Sequence, residues 1–250
     1  MAEPSVKSAR RAMELLEFFA EWRRPASVKE VSQSLGWPQS STSVLLRALA
    51  DASFYDQDPR TGMYAPSVRI LLAAEWIGEH LFSDHSLLGL MEKVHGQTGH
   101  TVMIGAQHGL HVRYLHVLQA TREGRFTARI GSLRPLFRSA PGKMLLTLKP
   151  EREVALLLRR ANATEFPLHV LALEEVLRER EQARRNGYAL SLGTSEPGAA
   201  ALAILLPVPR GEKPMTLSVG GPIREVVQEK AKLLKALHEA VQPIRAAVGK

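Results

Sequence analysis

The chain has 250 residues, enough for one large domain or two modest ones around a sizeable core. Its 45% hydrophobic content contains no apolar run near the roughly 18 residues of a membrane span, and the lack of cysteine excludes disulfides, thiolate metal sites and cysteine nucleophiles. The net charge of +8 is unevenly placed. Residues 1–82 hold nine Lys or Arg against ten Asp or Glu, and residues 83–250 hold 24 against 15, so total charge says little about a nucleic-acid partner. Met1–Lys7 lacks the basic-then-apolar pattern of a secretory signal, and a cytoplasmic protein is expected.

The first element runs from Ser8 to Trp22, with Met13, Leu15, Leu16, Phe18, Phe19 and Trp22 as its apolar face and Arg23-Arg24-Pro25 as its stop. A second helix starts at Ser27, because Ser27 and Glu30 have the spacing of a capping box. Val28, Val31 and Leu35 form its stripe, and Gly36 ends it. Pro38 suits the first turn of a third helix, whose buried side is Leu45, Leu46 and Leu49. The other side, Gln39, Ser40, Ser41 and Ser43, joined a turn later by Arg47, is a face of hydrogen-bonding side chains near a helix N-terminus. Such a face suits a recognition helix in a DNA major groove. Phe54-Tyr55, the turn Asp58-Pro59-Arg60-Thr61-Gly62, and Met63-Tyr64 read as strand, turn and strand, a wing with Arg60 at its tip. Arg10, Arg11, Arg23, Arg24, Lys29, Arg47 and Arg60 flank these elements where phosphates would run.

From Ser67 to Phe82 the pattern is helical and apolar on two sides. Val68, Leu71, Leu72 and Trp76 lie on one, and Ile70, Ala74, Ile77 and Leu81 on the other. A linker helix that also joins two copies of the chain fits this pattern, as does a helix buried in one core. Beyond it, helices are expected at Leu87–Gly99, Ala140–Leu148, Pro150–Arg160, Leu173–Asn186 and Arg224–Val248. Strands are expected at Thr101–Gly105, Leu110–Val117, Thr127–Ile130, Tyr188–Leu192, Leu202–Leu206 and Met215–Val219. Their irregular alternation predicts an α+β domain with a largely antiparallel sheet.

Three constellations could carry chemistry. Arg113, Arg122, Arg125, Arg129, Arg134, Arg138 and Lys143 face a single acid, Glu123, in that stretch. The cluster would suit an organic anion or form a solvated basic surface. Seven of nine histidines fall between His80 and His116, but His111 and His116 should point to opposite faces of a strand, which weakens a metal site. No G-x-S-x-G elbow, P-loop or H-E-x-x-H helix is present.

Over its full length the chain resembles the IclR family of bacterial transcriptional regulators. The resemblance rests on SVKSARRAMELLEFF, TGHTVMIGAQHGLHVRYL, GSLRPLFRSAPGKMLL, NGYALSLGTSEPG and LSVGGP. It implies a winged helix-turn-helix domain (residues 1–65), a linker and dimerisation helix (66–85) and a GAF/PAS-like effector-binding domain (86–250). The implied protein is a homodimer or homotetramer that binds a double-stranded DNA operator and a small-molecule effector. It needs no cofactor, metal or membrane. DNA contacts would come from Gln39, Ser40, Ser41, Ser43, Arg47 and Arg60. Effector contacts would come from Arg134, Leu136, Phe137, Arg138, Met144, Ser191, Ala201, Ser218 and Gly220. Where the family often has histidine, an acid, cysteine and serine, this chain has Phe137, Ser191, Ala201 and Gly220, and Val44 replaces a common basic residue. A larger, more apolar pocket is therefore expected, taking an aromatic or similarly bulky organic acid held by Arg134 or Arg138. Two other classes stay open: an enzyme built on the same C-terminal fold, and a histidine-based metal sensor.

Overall fold

The computed structural model describes residues 6–74, 87–121, 126–165, 170–209 and 211–248. The chain forms two compact units, Met1–Ile77 and Gly78–Lys250.

In the first unit, α1 (Lys7–Trp22) ends where Arg23 adopts a left-handed conformation and returns its amide to the Phe19 carbonyl. Leu15, Phe18 and Phe19 are buried, whereas Met13, expected on the same face, is 62% exposed. Helix α2 (Val28–Leu35) opens with the capping box read from sequence. The Ser27 amide donates to Glu30 at 2.8 Å, and the Glu30 amide donates to the Ser27 hydroxyl at 3.3 Å. Gly36 closes α2 at φ 66°, a conformation glycine adopts without a side-chain penalty. Pro38 is the N-cap of α3 (Gln39–Asp51), one residue earlier than expected. Strands β1 (Tyr55–Gln57) and β2 (Tyr64–Pro66) pair antiparallel as the wing, and an isolated bridge ties Ala26 to Tyr64. Leu15, Phe18, Phe19, Val31, Leu46, Tyr55 and Tyr64 form one core, with Ile70 packed on its edge. Residues 68–74 are helical, with Val68, Leu71 and Leu72 60–66% exposed. Trp76, Ile77 and Leu81, which complete the two expected stripes, lie outside the described residues.

The second unit holds a six-stranded antiparallel sheet in the order β5-β4-β3-β8-β7-β6. Its strands are β3 (Thr101–His108), β4 (His111–Leu118), β5 (Leu133–Pro135), β6 (Ala189–Leu192), β7 (Ala199–Leu206) and β8 (Met215–Pro222). Alternation divides the faces. Val102, Ile104, Leu202, Ile204, Leu217 and Val219 pack against α4 (Leu87–Thr98), α8 (Ile223–Gln228) and α9 (Lys230–Val248). The opposite face is built of small residues, so α5 (Ala140–Leu146) can approach it, with Ala140 and Met144 on Ala189 and Ala203. Helices α6 (Glu151–Thr164) and α7 (Leu173–Asn186) complete that layer. Two expectations fail here. Residues 127–130 form no strand; the third strand is the short β5, which follows a turn at Gly131 (φ 80°). The closing helix is two helices, broken at Glu229 (φ −92°, ψ 8°), and α9 then continues past Pro243.

Candidate functional site

In the first unit, α3 presents the features of a groove-reading helix. Thr42 and Leu46 are buried, and Leu45 and Leu49 join the core, so the helix is anchored by one side. Gln39, Ser40 and Arg47 are exposed on the other, along with Val44 at 62%. No side chain caps the α3 N-terminus, which leaves first-turn amides for an anionic oxygen such as a phosphate. Ser41 and Ser43 are more committed. The Ser41 hydroxyl donates to the Pro38 carbonyl at 3.0 Å and accepts from Arg11 at 3.2 Å, while Arg47 donates to the Ser43 hydroxyl at 3.2 Å. Arg11 also stacks on Trp37 at 4.9 Å, and Arg24 pairs with Glu30 at 3.0 Å. Of the flanking cations, Arg11, Arg23, Lys29, Arg47 and Arg60 have no acid partner among the described residues. At the wing tip, Asp58 accepts from the Arg60 amide and the Thr61 hydroxyl. Those bonds lower its pKa and fix the turn that exposes Arg60.

In the second unit, a narrow cleft with about 10 Å³ of free space opens on the small-residue face of the sheet. Its floor follows the register: Ser191 pairs with Ala201, and Ala201 with Gly220, so three predicted positions lie in one row across β6, β7 and β8. Phe126 packs against Gly220, where an added Cβ would stand 2.9 Å from the ring. The Arg134 side chain, 17% exposed, lies 5.7 Å from the Tyr114 ring centre and 6.0 Å from that of Phe126. It forms an ion pair with Glu196 at 3.2 Å. Burial pushes the Tyr114 hydroxyl pKa up, with Arg134 opposing the shift. Ser139 and Pro141, at the α5 N-terminus, and Ser195 close the lining. The Ser139 hydroxyl caps α5 by accepting from the Gly142 amide at 3.2 Å.

These features coincide with two family models. Residues 8–59 match the IclR helix-turn-helix domain, and residues 84–246 match the bacterial transcriptional regulator IclR C-terminal domain. The chain belongs to the IclR family. It is a DNA-binding transcriptional regulator, and the matched relatives are regulators rather than enzymes. The HTH-type transcriptional regulator XynR of Escherichia coli K12 is 26% identical over 202 residues, which is 80% of each chain. The effector domain of an IclR regulator from Acinetobacter sp. ADP1 superposes with a TM-score of 0.59 at 25% identity. That match covers 64% of this chain and 93% of the other. The IclR-type regulator from Alicyclobacillus acidocaldarius shares the fold at TM-score 0.62 and 23% identity, with 97% and 98% of the two chains covered.

Within this IclR chain the cleft brings together only part of the predicted effector set. Arg134, Ser191 and Ala201 line it, and Gly220 shapes it through Phe126. Leu136 and Phe137 do not. They are buried among Val112, Leu145, Val154 and Leu158, because the turn after β5 points them into the helical layer. Met144 is spent on the α5–sheet contact, and Ser218 is fully buried, donating to the Met103 carbonyl at 3.3 Å. Arg138 is absent from the lining; its carbonyl accepts from the Thr194 hydroxyl at 2.6 Å. The cleft is narrower than the expected large cavity, and its exposed lining is mostly apolar, with polar groups from Tyr114, Arg134, Ser139, Ser191, Ser195 and Glu196. Sequence reasoning missed Tyr114, Phe126, Ser139, Ser195 and Glu196. Ser195 and Glu196 lie in the NGYALSLGTSEPG stretch that supports the family likeness, and that was the available signal.

Among the described residues the histidines do not converge on one another. His108 contacts Arg113 at 2.9 Å and His111 contacts Glu165 at 3.5 Å. Among the described residues, the three-residue group with metal-ligand atoms in reach is His100, Glu225 and Glu229. There Lys232 already pairs with Glu229 at 3.3 Å.

Proposed function

We propose that this IclR-family chain is a ligand-controlled operator-binding regulator whose C-terminal cleft takes a small organic acid, aromatic acids included. In this reading Gln39, Ser40 and Arg47 read base edges, Ser41 and Ser43 set the face they stand on, and Arg60 grips a phosphate beside the wing. The exposed polar face of α3, held by a buried apolar one, carries the DNA half. Arg134 between two aromatic rings carries the ligand half, since a guanidinium recognises a carboxylate by paired hydrogen bonds and the rings favour a flat apolar body. The protein would act in the cytoplasm, and no helix among the described residues is long and apolar enough to cross a membrane. Exposed Val68, Leu71 and Leu72 support assembly into a homodimer or homotetramer through the helix that begins at residue 68. The acid shifts operator affinity only by the difference between its affinities for DNA-competent and incompetent arrangements.

The test uses DNA fragments selected from genomic DNA by the purified protein, with affinity read by fluorescence anisotropy. Alanine at Ser40, Ser41 and Arg47 together should cost roughly 1–3 kcal/mol for each side chain that reads a base. Retained affinity and selectivity in the triple variant would sink the α3 assignment. An affinity indifferent to every acid in a monocarboxylate panel would sink ligand control.

A further inference from the structure

The ion pair in the cleft is lopsided. Arg134 is 17% exposed and Glu196 is 49% exposed, so a buried cation is met by a carboxylate reaching in from solvent. A guanidinium withdrawn from water needs a counter-anion, because leaving it unpaired costs far more than the pair gains when it forms. Glu196 itself loses little on leaving, since its carboxylate is half in water already. It sits in the bend between β6 and β7, and this bend is flanked by Gly193 (φ 68°) and Gly198 (φ 78°), conformations that suit a chain reversal. Thr194, next along the same bend, is tethered to the Arg138 carbonyl at 2.6 Å, which holds the bend over the cleft.

A second observation points to a guest. The Ser195 hydroxyl oxygen is buried and has no hydrogen-bond partner among the described residues, and it lines the same cleft. Buried hydroxyls are normally satisfied, so this one is matched to something that arrives. Ser191, 4% exposed, adds a further hydroxyl on the floor.

We propose that Glu196 is an internal stand-in for the ligand's carboxylate, and that the cleft selects small monocarboxylates which take over Arg134 by displacing it. The proposal rests on the ligand reading above and names the chemistry of its ligand. One carboxylate oxygen pair goes to the guanidinium, and the Ser195 hydroxyl donates to it or to a neighbouring ligand oxygen. A second carboxylate is disfavoured, because Arg134 is the one cationic side chain in the lining among the described residues, where Phe126, Pro141 and the alanines of β7 supply apolar wall beside the hydroxyls. Size acts in the same direction: with Glu196 in place the cleft has only about 10 Å³ of free space, about one water's worth, so an acid enters only as Glu196 leaves. Glu196 thus becomes a specificity residue. It sets a threshold that any acid must exceed, and it gives neutral analogues no advantage, since they cannot neutralise the guanidinium they expose.

The experiment compares the full-length protein with its Glu196→Gln variant, using pyruvate, hexanoate and benzoate as acids and benzamide as the neutral control. Calorimetry gives Kd, and thermal melting followed by far-UV circular dichroism gives stability. Removing the competitor should tighten acid binding about three- to tenfold, a modest factor because Glu196 is half exposed. Benzamide should not gain. Without ligand, Glu196→Gln should melt below the parent, and an acid that binds should restore it. Should Glu196→Gln not fold, Glu196→Asp makes the same comparison, keeping the charge but shortening its reach, with a smaller gain. Equal acid affinities in parent and variant would overturn the displacement while leaving an acid-binding cleft. An unchanged melting temperature in the ligand-free variant would overturn the need for a counter-anion. Binding of no acid to either protein would overturn the acid reading together with the proposal.

Discussion

Replacing Gly142 with alanine tests the construction of the cleft wall. A Cβ built on Gly142 would stand 2.0 Å from the Leu136 carbonyl oxygen and 2.6 Å from its carbon, and both are backbone atoms that cannot rotate away. Restoring an ordinary contact of at least about 3.4 Å moves α5 away from Leu136 by more than an ångström. That motion loosens Ala140, Met144, Leu145 and Leu146, all buried, and the Ser139 cap. Overpacking commonly costs 1–3 kcal/mol, and a backbone obstacle places this case at the upper end, about 3 kcal/mol. At roughly 2–4 °C per kcal/mol for a protein of this size, the second unit should melt about 6–12 °C lower. Gly96, in the last turn of α4, has nothing within 4 Å of such a Cβ, so Gly96→Ala should stabilise by no more than about 0.5–1 kcal/mol. The assay separates the units, since all three tryptophans, Trp22, Trp37 and Trp76, fall within residues 1–77. Tryptophan fluorescence therefore follows the first unit, and the remaining far-UV circular dichroism transition follows the second. A Gly142→Ala variant within 0.5 kcal/mol of the parent, or one that shifts only the fluorescence transition, would refute the reasoning.

Leu72 is 60% exposed, and Leu72→Asp should leave the fold intact while weakening self-association, because burying an unpaired carboxylate at an interface is costly; sedimentation velocity showing an unchanged assembly would exclude this helix as the contact. Hydrogen bonds from the Ser27 amide and hydroxyl, then Arg24, hold the Glu30 pKa down to about 2 from 4.5. A depressed folded-state value stabilises above the unfolded pKa, so the first unit should lose stability as pH falls from about 4.5 to 2, and Glu30→Gln should flatten that loss. Tyr55 has the opposite sign: burial raises its pKa to about 12, so stability present below pH 10 is lost as pH rises from 10 to 12. Its full extent is about 2–3 kcal/mol, and Tyr55→Phe should abolish the loss in fluorescence-monitored unfolding.

Features written in local chemistry were legible from the chain alone. The capping box at Ser27, the left-handed ends at Gly36, Gly99 and Gly187 and the wing turn each depend on residues within a few positions, and each forms where expected. Elements whose existence depends on distant partners were not. Strand β5 is three residues long and is a strand only because Leu133, Arg134 and Pro135 pair with β4. The break at Glu229 has neither glycine nor proline to announce it, while Pro243, a conventional breaker, sits inside α9. The cleft shows the same division. Ser191, Ala201 and Gly220 could be matched one by one, but their alignment in a row is a property of strand register. Glu196 meets Arg134 only through the tertiary fold, and Phe137 packs into the helical layer although Arg134 and Ser139, close by in sequence, line the cleft.

Glycine at position 220 has a physical counterpart in Phe126. A Cβ at Gly220 would lie 2.9 Å from the Phe126 ring and 3.0 Å from the Met103 methyl, so glycine is what lets the ring lie on the sheet floor. The Phe126 carbonyl accepts from the Thr101 hydroxyl at 2.6 Å, so the backbone is fixed and the ring itself must move to admit a larger residue. Met103, flexible and unbranched, can yield at little cost. Gly220→Ser should therefore destabilise the second unit by about 1–2 kcal/mol, mainly through the displaced ring. In a Phe126→Ala background the same substitution has room and should be nearly neutral. The coupling between the two sites should then reach at least about 1 kcal/mol, within the 0.5–3 kcal/mol range of residues in contact. Urea unfolding of the four proteins, followed by circular dichroism, measures it. Costs that add to within 0.3–0.5 kcal/mol would show that Gly220 and Phe126 do not share this space. The ring would then owe its place in the cleft wall to something other than the missing side chain beneath it.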